Sequence, residues 1–232
     1  MLNRVIECFS AQTYQNKEMI ILYEEGDLST EEFVKGADDL MESIRFFKMP
    51  VQPGRSLGAL RNEGINLANG EFICQWDDDD WYHMNRLTCQ HYALFQAGVG
   101  GSLLTRWLVF DAINKRAYVS NRRLWEGSIM GKKSLMQQRA YENVSKGEDT
   151  AVIDYLASSG YLHFMDDVPE IYIYVYHGGN TWEQAHWHHI FRSSTALAER
   201  TSNGINDILN REYTVETASL ILNELMEKEE LK

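Results

Sequence analysis

Strand-forming and helix-forming segments alternate toward the aspartate run at residues 77–80. This predicts an α/β fold, a Rossmann-like mixed sheet flanked by helices, with a helical tail near the C-terminus. Three observations carry the expectation. Leu2, Val5, Ile6 and Phe9 recur at helical spacing. Met19-Ile20-Ile21-Leu22 is an unbroken apolar run. A second apolar run, Phe72-Ile73-Cys74, ends in Gln75-Trp76 and four consecutive aspartates.

Taken in order, the first helix is interrupted by the polar residues 12–16, and residues 19–22 read as a buried strand. Ser29 with Glu32 forms a capping-box pattern ahead of a helix presenting Phe33, Ala37, Leu40 and Ile44 on one face. Residues 50–54 form a turn, and residues 56–68 a helix ended by Gly70. The strand carrying the aspartates follows. In such sheets, ligands bind beyond the carboxyl ends of the strands. Both Tyr23-Glu24-Glu25 and the aspartate run lie at such ends. Downstream, residues 103–110, 118–121 and 128–131 read as strands, 149–158 as a helix and 171–176 as a strand. Ala218, Ile221, Leu222 and Leu225 mark a terminal amphipathic helix. The expected organisation is one domain over 1–182 and a helical extension over 183–232.

The 232 residues are 44 % hydrophobic and 12 % aromatic, enough for a packed core and unlike a disordered chain. A net charge of −12 without a basic stripe argues against a nucleic-acid partner. An anionic ligand would then need local positive charge, which a cation on the aspartates would supply. Cys8, Cys74 and Cys89 lack CxxC spacing, which points to structural thiols in a reducing cytoplasm. No run reaches the roughly 18 apolar residues of a membrane span. The expected location is cytoplasmic, with contact at the inner membrane surface peripheral and made through a partner protein or membrane-associated complex.

Four adjacent carboxylates raise one another's pKa unless a cation shares the site. In an extended segment Asp77 and Asp79 would project to one side and Asp78 and Asp80 to the other. Such a pair suits a hard divalent cation that also holds phosphate oxygens.

Gly58, Arg61, Asn62 and Gly64, followed by Ala68-Asn69-Gly70-Glu71-Phe72-Ile73 and the aspartates, resemble the family 2 glycosyltransferases of the GT-A fold. Asn85-Arg86-Leu87, residues 12–18 and Gly147-Glu148-Asp149 continue the resemblance, which covers about residues 1–180. It implies transfer of a sugar from a nucleotide-diphosphate-sugar donor to a carbohydrate or glycolipid acceptor hydroxyl, with inversion, in polysaccharide or glycoconjugate synthesis. It also implies Mn2+ or Mg2+ as cofactor. Asp77 and Asp79 would be the Asp-x-Asp pair, with Asp79 the nearest metal ligand and Asp77 shared with the nucleotide. Asp78, Glu24 and Arg61 would complete the nucleotide site. Asp149 would be the general base, His177 a late ligand of metal or phosphate, and Glu148 an acceptor contact. Trp125, just ahead of Gly127-Ser128, is expected to stack against a sugar ring of donor or acceptor. His186 and His189 have metal-ligand spacing, but a surface role is the expectation for them.

Two departures stand out. The apolar strand that usually opens the family is missing ahead of the first helix. The loss of a central strand exposes apolar neighbours and unpaired edges, so reduced stability or cover by a partner is expected. The segment Leu22-Tyr23-Glu24-Glu25-Gly26-Asp27 stands where relatives commonly read Val-Asp-Asp-Gly-Ser, which leaves base preference open. Two other functions compete. A non-catalytic nucleotide-binding module would keep the fold, and a nucleotidyltransferase would call for a Gly-rich phosphate loop that the chain lacks.

Overall fold

The computed structural model describes residues 2–36 and 43–229. Helix α1 (Leu2–Ser10) buries Val5, Ile6, Cys8 and Phe9, the stripe its spacing predicts. Strand β1 (Met19–Glu24) follows, then α2 (Leu28–Lys35), β2 (Ile44–Met49), α3 (Leu57–Leu67) and β3 (Phe72–Cys74). Next come β4 (Trp81–Tyr82), α4 (Arg86–Ala97), β5 (Gly101–Leu104), β6 (Leu108–Asp111), β7 (Arg116–Val119), β8 (Met130–Lys132), α5 (Lys133–Gln138) and α6 (Thr150–Ser158). The chain closes with β9 (Leu162–Met165), β10 (Tyr172–Tyr176), α7 (Gln184–Ser193), β11 (Thr195–Ala196), α8 (Glu199–Leu209) and α9 (Val215–Glu227).

Among the described residues the strands form three sheets. Strands β1 and β2 pair in parallel, with Met19 opposite Ile44 and Glu24 opposite Met49. A four-stranded sheet runs β3-β8-β5-β9, and a five-stranded one runs β11-β7-β6-β10-β4. Between β3 and β4 the chain passes from one sheet to the other, and the aspartate run is that passage. The main core lies around β6 and β10, where Trp107, Phe110, Tyr172 and Val175 meet Trp187, Ile190, Ile205, Ile208 and Leu222. The helices after residue 183 thus share a core with the sheet, and Tyr174 stacks on Trp187 at 4.3 Å.

Several expectations are corrected. Ile44 opens β2 instead of closing a helical face; its run, Ile-Arg-Phe-Phe-Lys-Met, is set by pairing with β1. Ala37 and Leu40 lie outside the described residues. Asp27, and not Ser29, caps α2, its carboxylate accepting from the Thr30 amide. The expected strand over 103–110 is two strands, because the chain leaves the four-stranded sheet at Leu104 and joins the five-stranded one at Leu108. Strand β1 is not buried as expected: only Met19 is, and all of β3 is likewise half-buried. Among the described residues β1 pairs only with β2 and β3 only with β8, so each lacks a neighbour that would cover it. No described helix is long and apolar enough to cross a membrane, and the three cysteines are free.

Candidate active site

The four aspartates do not lie in an extended strand. The backbone bends at residues 78–80, and the carboxylates take separate surroundings instead of alternating between two faces. Asp77 receives a hydrogen bond from Arg61 Nη2 at 3.0 Å. Asp78 lines the large cavity beside β1 and β3, and burial followed by the charges of Asp79 and Asp77 raises its pKa. Asp79 Oδ2 lies 3.2 Å from His177 Nε2 and accepts from Asn180 Nδ2 at 3.0 Å. Asp80 is fully buried; it accepts from Tyr172 Oη at 2.5 Å and from the Val175 amide at 2.9 Å. Desolvation, then Asp79 and Asp77, hold its pKa well above the usual carboxylate range.

The run is fixed from beneath by Arg86, on the first turn of α4. This guanidinium is buried among the rings of Trp76, Tyr82 and Tyr172, with centroids 4.8, 4.4 and 4.9 Å away. Its Nη2 donates to the Gln75 carbonyl at 2.9 Å and its Nε to Gln90 at 3.1 Å. A buried guanidinium needs such compensation, and the aromatic faces supply part of it.

Helix α3 carries Arg61 into the site. Ser56 caps this helix through its hydroxyl, which accepts from the Ala59 amide at 3.1 Å. Gly58 lets the 142–149 segment approach closely, since a Cβ there would fall 1.8 Å from the Glu142 carbonyl oxygen. Asn62 holds the same segment with both ends of its amide, donating to the Tyr141 carbonyl at 2.9 Å and accepting from the Tyr141 amide at 3.0 Å. Arg61 then bridges two acids, Asp77 at 3.0 Å and Glu148 at 2.8 Å. Burial opposes its charge, but Asp77, Tyr141, Glu148 and Asp149 around it raise its pKa.

Asp149 stands at the entrance of α6, after Gly147, whose φ of 67° is a left-handed turn open to glycine. It occupies the N-cap position, yet its side chain makes no capping hydrogen bond. Its pKa is pushed up to about 6, first by burial and then by the neighbouring charge of Glu148, with Arg61 acting in the opposite direction. A carboxylate in that condition can accept a proton near neutral pH.

The remaining expected residues are placed as follows. Glu24 ends β1, lines the cavity and lies 3.8 Å from Arg55. Glu148 is buried against Arg61, which corrects its expected contact with an acceptor: the buried arginine holds it inside. Trp125 is also corrected as an acceptor contact. It is 8 % exposed, stacked on Trp107 at 4.8 Å and against Tyr174 at 4.5 Å, so its ring packs the core. His186 packs against Trp182. Asn180 was not anticipated; its only signal was a position in the Gly178-Gly179-Asn180 loop.

Among the described residues no three His, Cys, Asp or Glu side chains converge as a closed metal centre. Asp79 beside His177 does fit a cation of the Mg2+ type, which takes one or two carboxylates and completes its shell with phosphate oxygens and water.

Residues 1–155 match the family described as Glycosyl transferase family 2. The chain belongs to that family. A segment of 76 residues is 38 % identical to the putative glycosyltransferase EpsH of Bacillus subtilis (strain 168), covering 33 % of this chain and 21 % of that protein. Solved structures share the GT-A fold. S. aureus TarS 1–349 in complex with UDP-GlcNAc superposes with a TM-score of 0.61 at 12 % identity, over 97 % of this chain and 67 % of that one. Another crystal structure of S. aureus TarS 1–349 gives 0.59 at 11 % identity, over 97 % and 66 %. The mannosyltransferase PcManGT of Pyrobaculum calidifontis, with GDP-Man and Mn2+, gives 0.58 at 12 % identity, over 97 % and 70 %. The chain thus spans about two thirds of these structures and a smaller part of EpsH. Glycosyltransferase membership is established, and the mixed sheet flanked by helices is the GT-A architecture.

Proposed function

We propose that the chain is an inverting, metal-assisted glycosyltransferase that moves a sugar from a nucleotide-diphosphate donor to a hydroxyl of a carbohydrate or glycolipid acceptor. One observation carries the reading: Arg61 joins Asp77, at the nucleotide end, to Glu148 beside Asp149, a carboxylate with a pKa of about 6. Donor recognition and proton acceptance therefore share one arginine. In support, solved relatives of the same fold hold UDP-GlcNAc or GDP-Man.

Asp77, Asp78 and Glu24 line the cavity that would take the nucleotide. Asp79 and His177 would hold Mn2+ or Mg2+, which when bound neutralises charge on the departing diphosphate. Asp149 accepts the proton of the acceptor hydroxyl. That oxygen bonds to the anomeric carbon from the face opposite the diphosphate, the carbon–oxygen bond to the diphosphate breaks, and the nucleoside diphosphate leaves with its electron pair. Arg61 holds both Glu148 and Asp77 in place.

A thermal-shift screen of nucleoside diphosphates with and without Mn2+ tests the binding half, because a ligand of the folded state raises Tm by mass action. Transfer assays on Asp149→Asn test the chemistry. The variant should bind the nucleotide as the wild type does and lose transfer. Wild-type turnover in it would refute the base assignment. Nucleotide binding by the unaltered chain without transfer or donor hydrolysis would instead select a non-catalytic module.

A further inference from the structure

Arginines drawn partly out of water in this chain have acceptors, with one exception. Arg4 donates to the Asp79 carbonyl and Arg86 to the Gln75 carbonyl. Arg45, Arg55 and Arg61 lie against Glu18, Glu24 and Asp77. Arg123 is half-buried too, yet among the described residues its guanidinium makes no ion pair or hydrogen bond. Its contact is the ring of the buried Trp107, with the centroid 5.4 Å from the guanidinium carbon. Desolvating a cation without an acceptor is costly, and an aromatic face offsets only part of that cost. Arg106 also lacks an ion pair, but it is exposed and therefore solvated.

Arg123 stands at the rim of the candidate active site. Its amide donates to the Thr105 carbonyl at 3.0 Å and that of Trp125 to the Leu104 carbonyl at 3.0 Å, which fixes the segment against the passage from β5 to β6. The segment then passes Asp77, since a Cβ on Gly127 would lie 3.6 Å from Asp77 Oδ2. It also reaches toward Asp149, whose pKa Glu126 helps to raise behind burial and Glu148. Trp125, stacked on Trp107, meets Tyr174 at 4.5 Å. Burial, then Asp80, Asp77 and Asp79, raise the pKa of Tyr174, and Arg123 opposes them. His186, stacked on Trp182 at 4.5 Å, feels the same arginine. Burial, then Arg123 and His189, lower its pKa, so His186 is neutral near pH 7. Lys146, which lies 5.6 Å from the Trp182 ring, is held by Glu183 at 3.3 Å. Arg123 is thus the half-buried cation of this wall that lacks an anion.

We propose that Arg123 anchors an anionic substituent, a carboxylate or a phosphate, on the acceptor saccharide. A planar guanidinium can hold either group through two parallel hydrogen bonds. The charge of the donor diphosphate is met by a cation on Asp79 and His177, whereas Arg123 belongs to the segment that reaches toward Asp149, where the acceptor hydroxyl must lie. A chain of net charge −12 repels an anionic saccharide over most of its surface. An unpaired arginine beside the base would draw such a ligand to this place and turn it by its charged end. Calling the ligand an acceptor rests on the transferase reading. The anion contact does not, and is measured without donor.

The test titrates three ligands into the full chain by NMR, without nucleotide or metal: methyl β-D-glucuronide, methyl β-D-glucoside 6-phosphate and the neutral methyl β-D-glucoside. At least one anionic glycoside should bind at least about tenfold more tightly than the neutral one, and the tighter of the two tells carboxylate from phosphate. Arg123→Gln should bring that ratio close to one. It should leave the neutral glycoside, and UDP or GDP with Mn2+, bound as in the wild type. A merely structural role for Arg123 would weaken all the ligands alike. Arg106→Gln should keep the ratio, because a solvated charge nearby supplies no contact. The proposal is overturned by equal affinities in the wild type, by a ratio that survives Arg123→Gln, or by an equal loss of the ratio in Arg106→Gln. A loss of nucleotide affinity in Arg123→Gln would also overturn it, by assigning the arginine to the donor. Absence of transfer with the ratio intact would count against the transferase reading alone.

Discussion

Replacing Glu148 by Gln offers a sharp test of how the site sets its base. The Asp149 pKa is raised from 3.8 to about 6, with burial the largest cause, Glu148 the next and Arg61 opposing both. Glu148→Gln removes the second cause and leaves Arg61 less neutralised, so both changes favour the ionised form of Asp149. Since burial stays, the value should fall only part of the way, by about one pH unit. Measured as kcat/KM for transfer between pH 4.5 and 8.5, the acid limb should move from about pH 6 to about pH 5. At pH 5 about a tenth of the wild-type Asp149 is ionised and about half of the variant's, so activity relative to the plateau should rise about fivefold. An unmoved limb, or one moved upward, would refute the assignment of that limb to Asp149. The stability linkage has a definite sign. A carboxylate whose folded pKa is raised binds its proton more tightly in the native state, so its contribution to stability is greatest below about pH 4 and falls as pH rises through 6. The loss is about 3 kcal/mol for Asp149, and urea melts at pH 4.5 and 7 should show a smaller loss in Glu148→Gln.

Three further outcomes are expected. Asp79→Asn should weaken Mn2+-dependent binding of a nucleoside diphosphate at least about tenfold by calorimetry, a loss of about 1.4 kcal/mol, and leave metal-free binding nearly unchanged. Asp80→Ala should cost about 2–4 kcal/mol in denaturant melts, because it strands the buried Tyr172 hydroxyl and Val175 amide; Asp80→Asn, which can accept from the amide and donate to the hydroxyl, should cost about 1 kcal/mol or less. Gly58→Ala should destabilise by about 1–3 kcal/mol and lower kcat more than nucleotide affinity, since its methyl meets the Glu142 carbonyl and displaces the segment bearing Asp149.

Much of the framework was legible because local chemistry dictated it. The stripe on α1, the Ser56 cap of α3 and the apolar run of β1 are short-range signals, and each element forms close to where its residues predict. Strand β2 was not legible. Ile44 continues a helical spacing, and only pairing with β1 gives it a strand. The break between β5 and β6 was equally hidden, as it is a change of sheet and leaves no turn residue at Thr105-Arg106-Trp107. The same division holds at the site. Arg61, the aspartates and Asp149 could be named from sequence because they stand in recognisable motifs. Their partition could not, because it depends on Tyr172, Asn180, Arg86 and Glu148 arriving from distant parts of the chain. Trp125 was misread because a tryptophan near glycines suggests an open ring, whereas Trp107 and Tyr174 cover it.

Trp76 gives the molecule a built-in optical reporter. It packs against the core around β6 and β10, the α1–β1–β2 cluster and the cluster beneath α4, and meets Phe9 edge-on at 6.5 Å. Trp81, Trp107, Trp125 and Trp187 belong to the main core alone. In a protein reduced to a single tryptophan at position 76, emission would track how firmly the N-terminal layer is seated. In a protein that keeps only those four, emission would follow the melting of the β6–β10 core. Two unfolding curves of different midpoint would mean that the layer carrying β1 and β2 detaches before the rest, and coincident curves that the whole chain melts as one cooperative unit.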